Sequence, residues 1–146
     1  MKGASVYQCG EIIIIVPKGR APSGLIQGRL DMDVIEDISS LDVLQNALNS
    51  AISKYNIAPS IDVYNFEIFD KELSKAASKE SYSSFLKEAA LVEVAVTDET
   101  VILQPLQPSK YFLGLESFKN KDFNLALDSL RNGEMASTVM SLLREI

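Results

Sequence analysis

The chain has 146 residues, with 14 Lys and Arg against 20 Asp and Glu, one Cys, no His and a formal net charge of −6. The absence of His excludes imidazole general bases, Ser-His-Asp and Cys-His nucleophiles and His-ligated zinc, and a lone Cys excludes an internal disulfide. The length suffices for one domain with its own core, and the acidic balance disfavours nonspecific binding to nucleic acid or anionic membranes.

The first predicted element is a β-hairpin. Residues 5–9 and the apolar run 12–16 are separated by a Gly-Glu turn, and we expect the second strand to end at Pro17. Five apolar residues are too few for a membrane span, which needs about 20. Because residues 1–10 are too polar for a signal peptide and Cys9 has no partner, we expect a soluble, cytoplasmic protein in which Cys9 is a structural thiol.

A loop and two further short strands are predicted next. Residues 17–24 contain glycines and two bases but lack the spacing of a phosphate-binding loop, so they indicate an exposed loop, with a short strand at 25–27. Leu30, Met32 and Val34 then alternate with Asp31 and Asp33, which predicts a strand with its carboxylates on the solvent side. With no third ligand at a fixed spacing, this pair does not indicate a metal site. We expect no catalytic residue, cofactor or metal.

The charge is concentrated in one segment. Residues 30–53, here called the acidic segment, contain no Lys or Arg and have a net charge of −5, whereas the other 122 residues hold 14 bases and 15 acids. The segment's acids are Asp31, Asp33, Glu36, Asp37 and Asp42. Two interpretations remain open: a solvated strand and helix start, or a surface that recognises a basic partner.

Helices are predicted in and after this segment. Leu41, Leu44, Leu48 and Ile52 form an amphipathic stripe behind a Ser cap at position 39 or 40. The connection 55–89 is predicted to contain a possible short strand at 61–64 and two helices. These are 69–78, capped by Asp70 with Leu73 facing inward, and a short helix near 81–88, capped by Ser81.

The second half repeats the pattern of the first. Strands are predicted at 91–97, at 101–105 with Pro105 as the last residue, at 111–115, and at 123–127, where Phe123, Leu125 and Leu127 alternate with other residues. A helix opened by Asn132 closes the chain. The fold class is therefore α+β in a single domain, residues 1–146. Two β-β-(β)-β-α repeats, at about 4–54 and 90–146, form antiparallel sheets packed with amphipathic helices. The five scattered tyrosines could lie in the core or anchor an interface, and the core is the expected place.

The second half also resembles a known family. Residues 81–87 with their aromatic side chains, the strand at 92–96, the strand ending at Pro105, the loop containing Gly114 and the closing helix are similar to bacterial contact-dependent growth inhibition (CDI) immunity proteins, the CdiI family. The chain departs from that pattern in lacking a Trp near residues 67–77. Family members with a duplicated sheet-and-helix arrangement are similar in outline to whirly-type folds.

The resemblance implies a partner and a role. It implies an antitoxin, not an enzyme, that binds the C-terminal toxin domain of a surface-delivered effector, often a nuclease, and blocks its active site or substrate access. Because nucleases tend to be basic around the phosphate-binding cleft, the acidic segment is the expected toxin-binding surface. Its candidate residues are Asp31, Asp33, Glu36, Asp37 and Asp42.

Two other classes of function remain open at this point. A whirly-like module that binds single-stranded nucleic acid would use Lys110, Tyr111 and Phe112 with Lys119 and Lys121, although Glu116 and Asp122 offset these bases. An enzyme would need a cleft with paired carboxylates or a metal, and Asp31 and Asp33 are the residues to test for metal dependence. The sequence favours the protein-binding inhibitor over both.

Overall fold

The computed structural model describes residues 2–20, 24, 26–36, 40–55 and 66–146. Eight strands and five helices lie in this part of the chain. In chain order they are β1 (Lys2–Cys9), β2 (Ile12–Arg20), β3 (Ile26–Gly28), β4 (Asp33–Ile35), α1 (Leu41–Ser53), α2 (Phe66–Ala76), α3 (Tyr82–Glu88), β5 (Ala90–Val96), β6 (Thr100–Pro108), β7 (Leu115–Ser117), β8 (Phe123–Ala126), α4 (Ser129–Asn132) and α5 (Glu134–Glu145).

The fold is α+β, and the described strands form one eight-stranded sheet in the order β3-β2-β1-β5-β6-β7. β4 also pairs with β2, and β8 also pairs with β6. The two predicted hairpins, β1–β2 and β5–β6, are confirmed. β1 and β5 pair antiparallel at the centre and join the hairpins into one sheet instead of the predicted two.

The two halves of the sheet have the same arrangement at their outer edges. Along β2, residues 13–15 pair with β4 and residues 18–20 with β3; along β6, residues 100–103 pair with β8 and residues 106–108 with β7. A proline separates the two pairings in each strand, at Pro17 and Pro105. Each long strand therefore carries two short partners end to end on its outer edge.

The prediction that the strands end at these prolines is wrong. The Pro17 carbonyl accepts a hydrogen bond from the Arg29 N–H at 2.8 Å, and the Pro105 carbonyl accepts one from the Phe118 N–H at 2.9 Å. In an antiparallel strand the N–H and C=O of one residue point to the same side. The missing N–H of each proline therefore faces the outer edge between two short strands, so the central ladder loses no hydrogen bond.

Helices cover both faces of the sheet. On one face α1 and α5 pack against each other and against the central strands, and their buried side chains include Leu44, Leu48, Met135 and Val139. The two predicted helices are therefore confirmed as α1 and α5, but their predicted starts are not. Asn132 ends α4 and Gly133 precedes α5, while Ser40 precedes α1 without a side-chain cap hydrogen bond. On the other face α2 and α3 place Leu73 and other apolar side chains over β1 and β2, in a cluster that contains Ile14, Val16, Leu73 and Phe85.

Local predictions in the connection have mixed outcomes. Ser81 caps α3 as predicted: its Oγ accepts from the Ser84 N–H at 3.1 Å, and the Ser84 Oγ accepts from the Ser81 N–H at 3.3 Å. Asp70 is not a cap, because α2 begins at Phe66 and Asp70 lies inside the helix. The strand considered at 61–64 lies outside the described residues.

Two strand predictions are shifted along the chain. β4 begins at Asp33, and Ile35 is the buried side chain, whereas Val34 is 39% exposed, because Ile35 pairs with Ile13 on the face that α1 covers. The strand expected at 111–115 instead begins at Leu115, and residues 110–114 form a loop. In the described part of the chain, no helix is long and apolar enough to cross a membrane.

Candidate functional site

The acidic segment lies at the outer edge of β2, on β4 and the start of α1. Asp33 opens β4, Glu36 follows it, and Asp42 lies in the first turn of α1, where a carboxylate is favoured by the helix dipole. All three side chains are exposed and have no ion-pair partner among the described residues. Asp37 lies outside the described residues.

Asp31 differs from these three because bases surround it. The Arg29 Nε and Nη2 donate to its two carboxylate oxygens at 2.9 and 3.0 Å, and the Lys54 Nζ lies 3.8 Å from Oδ2. Arg29 Nη1 also donates to the Lys54 carbonyl at 3.0 Å, which ties the end of α1 to the segment before β4. Asp31 is therefore a compensated, structural carboxylate.

The two bases stand just outside the acidic segment. Arg29 and Lys54 flank residues 30–53 in the sequence, and in the fold both form ion pairs with Asp31. When they are counted, five acids and two bases leave a net charge of −3 over residues 29–54. The sequence window overstated the uncompensated charge of this surface.

A pocket of about 320 Å³ separates β4 from α1. Asp31, Asp33 and Lys54 line it together with apolar side chains that include Ile15 and Met32. Among the described residues, no group of three or more Cys, Asp and Glu side chains could hold a metal ion. The pocket lining is therefore mixed, with charged and apolar side chains together.

Exposed apolar side chains occur in the same segment. Val34 is 39% exposed, and Leu41 and Val43 are each 42% exposed. Leu41 belongs to the predicted helix stripe but is not part of the core, because it lies in the first turn of α1. Exposed apolar residues beside charged ones are typical of protein interfaces, where an apolar centre is surrounded by a polar rim.

A second exposed apolar feature includes two aromatic residues that the sequence offered for the nucleic-acid alternative. Tyr111, Phe112 and Leu113 are 89%, 57% and 58% exposed, in the loop between β6 and β7. The Ser109 Oγ accepts from the Tyr111 and Phe112 N–H groups at 3.1 and 3.3 Å, which shapes the loop. The expectation that the tyrosines lie in the core is wrong for Tyr111. Three consecutive large apolar residues after a Lys and before a Gly were the available signal.

Cys9 lies in the cluster under α2 and α3 and is 3% exposed. Burial raises the pKa of its thiol, and the nearby Lys79 opposes this effect only in part. A protonated, buried thiol is a poor nucleophile. These features match the structural role expected for Cys9.

Comparisons with known proteins relate the fold, at low sequence identity, to solved structures. No protein-family model matches the chain, and no curated protein matches it. A protein of unknown function from Neisseria meningitidis is similar with a TM-score of 0.74 and 12% identity, over 99% of this chain and 93% of that one. A chain of the CdiA-CT/CdiI toxin and immunity complex from Yersinia pseudotuberculosis is similar with a TM-score of 0.68 and 16% identity, over 97% of this chain and 96% of that one. At these identities the comparisons establish a shared fold.

Proposed function

We propose that this protein is an immunity protein, an antitoxin that binds and neutralises the toxin domain of a CDI effector. The observation that carries the proposal is the likeness of fold, over almost the whole chain, to a chain of a toxin and immunity complex. The sequence resemblance of residues 81–146 to the same family supports it independently. The partner is the C-terminal domain of the effector, with a nuclease as the expected activity.

The acidic segment is the proposed binding surface. Asp33, Glu36 and Asp42 are exposed and unpaired among the described residues, and Asp37 adds a fourth carboxylate from the sequence. Asp31 belongs to the same surface but contributes less charge, because Arg29 compensates it. The exposed side chains of Val34, Leu41 and Val43 supply apolar contact area beside these carboxylates.

The proposed mechanism is competition for the toxin's phosphate-binding cleft. Carboxylates on the immunity protein face the Lys and Arg side chains that would otherwise bind nucleic acid phosphates, so substrate cannot enter. Complementary potential raises the association rate by about 10- to 1,000-fold and disfavours wrong partners. No group on this chain needs to react with the toxin.

The test is charge reversal on this surface. Asp33→Lys, Glu36→Lys and Asp42→Lys are combined in one variant, and the matched control combines Asp98→Lys, Glu99→Lys and Asp128→Lys, which are also exposed. The neighbouring genes are searched first for a large secreted protein, and the C-terminal domain of that protein is the toxin probe. We expect the first variant to associate at least about tenfold more slowly and to protect cells poorly, with the control unchanged.

Salt dependence separates this mechanism from a fold defect. Wild-type affinity is expected to fall as salt rises from 50 to 500 mM, roughly, because exposed charges are screened, whereas the reversed variant loses that dependence. Circular dichroism checks that both variants are folded. Equal association rates for the reversed variant and the control would move the interface to another surface.

The whirly-like alternative rests on a different observation. Tyr111 and Phe112 are exposed next to Lys110, as required of an aromatic platform on which bases stack. Against this, the Lys119 Nζ lies 3.4 Å from the Glu145 carboxylate, so part of the basic patch is compensated. A gel shift with single-stranded DNA tests it: salt-sensitive binding that is lost in Tyr111→Ala would favour this alternative over immunity.

A further inference from the structure

Exposed apolar side chains are concentrated in two parts of this protein. Among the described residues, seven large apolar side chains are exposed, and six of them lie in two short stretches of the chain. One stretch is the acidic segment, and the other is the loop of residues 110–114, here called the aromatic loop. The six side chains are Val34, Leu41 and Val43 in the first and Tyr111, Phe112 and Leu113 in the second. Grouped exposed apolar side chains mark interaction sites, whereas single scattered ones are ordinary.

Ser109 holds the aromatic loop in shape. Its N–H donates to the Gly114 carbonyl at 2.9 Å, and its Oγ accepts from the N–H groups of Tyr111 and Phe112. The same Oγ donates to the Glu116 carboxylate at 3.2 Å. The Phe112 ring lies against Gly114, where an added Cβ would be 2.9 Å from the ring. A loop that is already ordered loses less conformational entropy when a partner covers it.

The surface around the aromatic loop is basic, although the protein as a whole is acidic. The loop and the end of α3 line a pocket of about 350 Å³, to which Lys87 and Lys110 contribute. None of the described residues that line this pocket is acidic, and neither lysine has an ion-pair partner in the described part of the chain. Glu88, the neighbour of Lys87 in the chain, pairs with Lys79 instead. The aromatic loop therefore presents apolar side chains beside two uncompensated positive charges.

The acidic segment has the opposite charge and a similar apolar content. Its exposed carboxylates at Asp33, Glu36 and Asp42 have no ion-pair partner among the described residues, and three exposed apolar side chains lie within the same ten positions of the chain, 34–43. Protein interfaces combine apolar contact with complementary charge in this way. The chain therefore carries both halves of one interface.

The two halves lie at opposite edges of the sheet. The acidic segment includes β4, which pairs with the outer edge of β2, whereas the aromatic loop precedes β7, which pairs with the outer edge of β6. Four strands, β2, β1, β5 and β6, separate β4 from β7. Neighbouring strands are about 4.8 Å apart, so β4 and β7 are separated by roughly 24 Å along the sheet. Contact between the two surfaces therefore requires a second copy of the chain.

We propose that this protein associates with itself head to tail, with the aromatic loop of one copy docked on the acidic segment of a second copy. Lys87 and Lys110 face the unpaired carboxylates, and the side chains of Tyr111 and Phe112 contact the exposed apolar side chains beside them. Because the two surfaces differ, a pair of copies keeps one free surface of each kind, and association continues into short chains or a closed ring. The proposal needs only this chain, so it stands or falls independently of toxin binding.

Sedimentation velocity of the wild-type protein is the first measurement. We expect a weight-average mass above the 16.1 kDa of the monomer that rises with protein concentration. Because the contact pairs exposed charges, the mass is expected to fall toward the monomer value when salt is raised from about 50 to 500 mM.

Two variants, each lacking one surface, give the decisive measurement. The acidic-segment variant combines Asp33→Asn, Glu36→Gln, Asp42→Asn and Val43→Ser, and the loop variant combines Lys110→Gln, Tyr111→Ser and Phe112→Ser. Each variant alone is expected to be monomeric, whereas an equimolar mixture is expected to form a 1:1 complex of twice the monomer mass. The mixture goes no further because both free ends of that complex lack a working surface.

A control variant removes the same kinds of charge elsewhere. It combines Lys71→Gln, Lys75→Gln, Asp98→Asn and Glu99→Gln, all of them exposed positions, and is expected to associate as wild type does. Circular dichroism checks that each variant is folded. If the loop variant is not folded, Tyr111→Ser replaces it, since this side chain is 89% exposed, and is expected to weaken association at least about fivefold.

Three results would overturn the proposal. The first is a wild-type protein that stays monomeric at every concentration. The second is a mixture of the two variants that stays monomeric while wild type associates. The third is association of either variant alone as strong as that of wild type, which would place the contact on another surface.

Discussion

Replacing Gln45 with Met is expected to be among the most destabilising single changes that leave the apolar core intact. Gln45 lies on α1 and is 6% exposed. Its Nε2 donates to the Ser129 and Leu130 carbonyls at 3.2 and 2.8 Å, and its Oε1 accepts from the Ala136 N–H at 3.0 Å. One side chain thus joins α1 to the first two residues of α4 and to the start of α5.

The last of these bonds is a helix cap supplied from another helix. The residue before α5 is Gly133, with φ +83°, which has no side chain that could cap the helix. Ala136 is the third residue of α5, so its N–H has no partner within the helix. Gln45 provides the acceptor that Ser, Thr, Asp or Asn provides at an ordinary N-cap.

The magnitude follows from the groups left unpaired. In Gln45→Met the Ala136 N–H and the Ser129 carbonyl lose their side-chain partner, whereas the Leu130 carbonyl keeps the Asn49 Nδ2 at 2.8 Å. An unpaired buried polar group costs about 1–3 kcal/mol, so we expect a loss of about 3 kcal/mol. A domain of this size is stable by only about 5–15 kcal/mol.

Urea unfolding followed by circular dichroism measures this loss. Asn49→Ala removes one of two donors to the Leu130 carbonyl and is expected to cost about 1 kcal/mol. Ser50→Ala, on the exposed side of α1, is the control and is expected to stay within about 0.5 kcal/mol of wild type. A loss below about 1 kcal/mol for Gln45→Met, with an unchanged denaturant slope, would refute the capping role.

Three further predictions concern the opposite face of the sheet. Gly28→Ala places a Cβ 2.6 Å from the Phe69 ring and is expected to cost about 1–3 kcal/mol in thermal unfolding, with partial recovery when Phe69→Leu is added; equal losses with and without that second change would contradict the clash. Burial, and then the Glu93 carboxylate, raises the pKa of the Tyr7 hydroxyl above its ordinary 10.0. At high pH the hydroxyl therefore keeps its proton in the folded state and loses it in the unfolded state. Stability is therefore full below about pH 10 and falls by up to about 1.4 kcal/mol per pH unit above it, and urea unfolding at pH 9–11, roughly, is expected to give a shallower fall for Tyr7→Phe. Because Cys9 is buried and burial also raises the pKa of its thiol, Ellman's reagent at about pH 8 is expected to react at least about tenfold more slowly with the folded protein than with the protein unfolded in urea. Equal reaction rates would show that Cys9 is accessible.

Much of the secondary structure could be predicted because its signals are local. Alternating Val residues in β5, the Leu stripe of α1 and the Ser81 cap of α3 each depend on residues within a few positions of one another. The strand ends predicted at Pro17 and Pro105 are wrong. The N–H that each proline lacks would face the outer edge, between two short strands, so the strand continues past it. That outcome depends on where β3 and β7 pair, which local patterns do not reveal.

The candidate site was predicted less well, for a similar reason. The acidic segment is exposed at Asp33, Glu36 and Asp42, but Asp31 is compensated by Arg29 and Lys54, which stand 25 residues apart in the chain. A charge count along the sequence places these bases outside the segment, whereas the fold places both beside Asp31. The binding role of this surface stays a prediction until the charge-reversal variant is measured.

The α+β class, the two central hairpins and the helices that follow them could be predicted from the sequence, because strand alternation and helical spacing are set by the chain's own periodicity. The pairing of β1 with β5 and the capping of α5 by Gln45, across 91 residues, became evident only in the folded chain. These contacts join residues tens of positions apart. Their partners are chosen by the packing of whole elements, which no local pattern encodes.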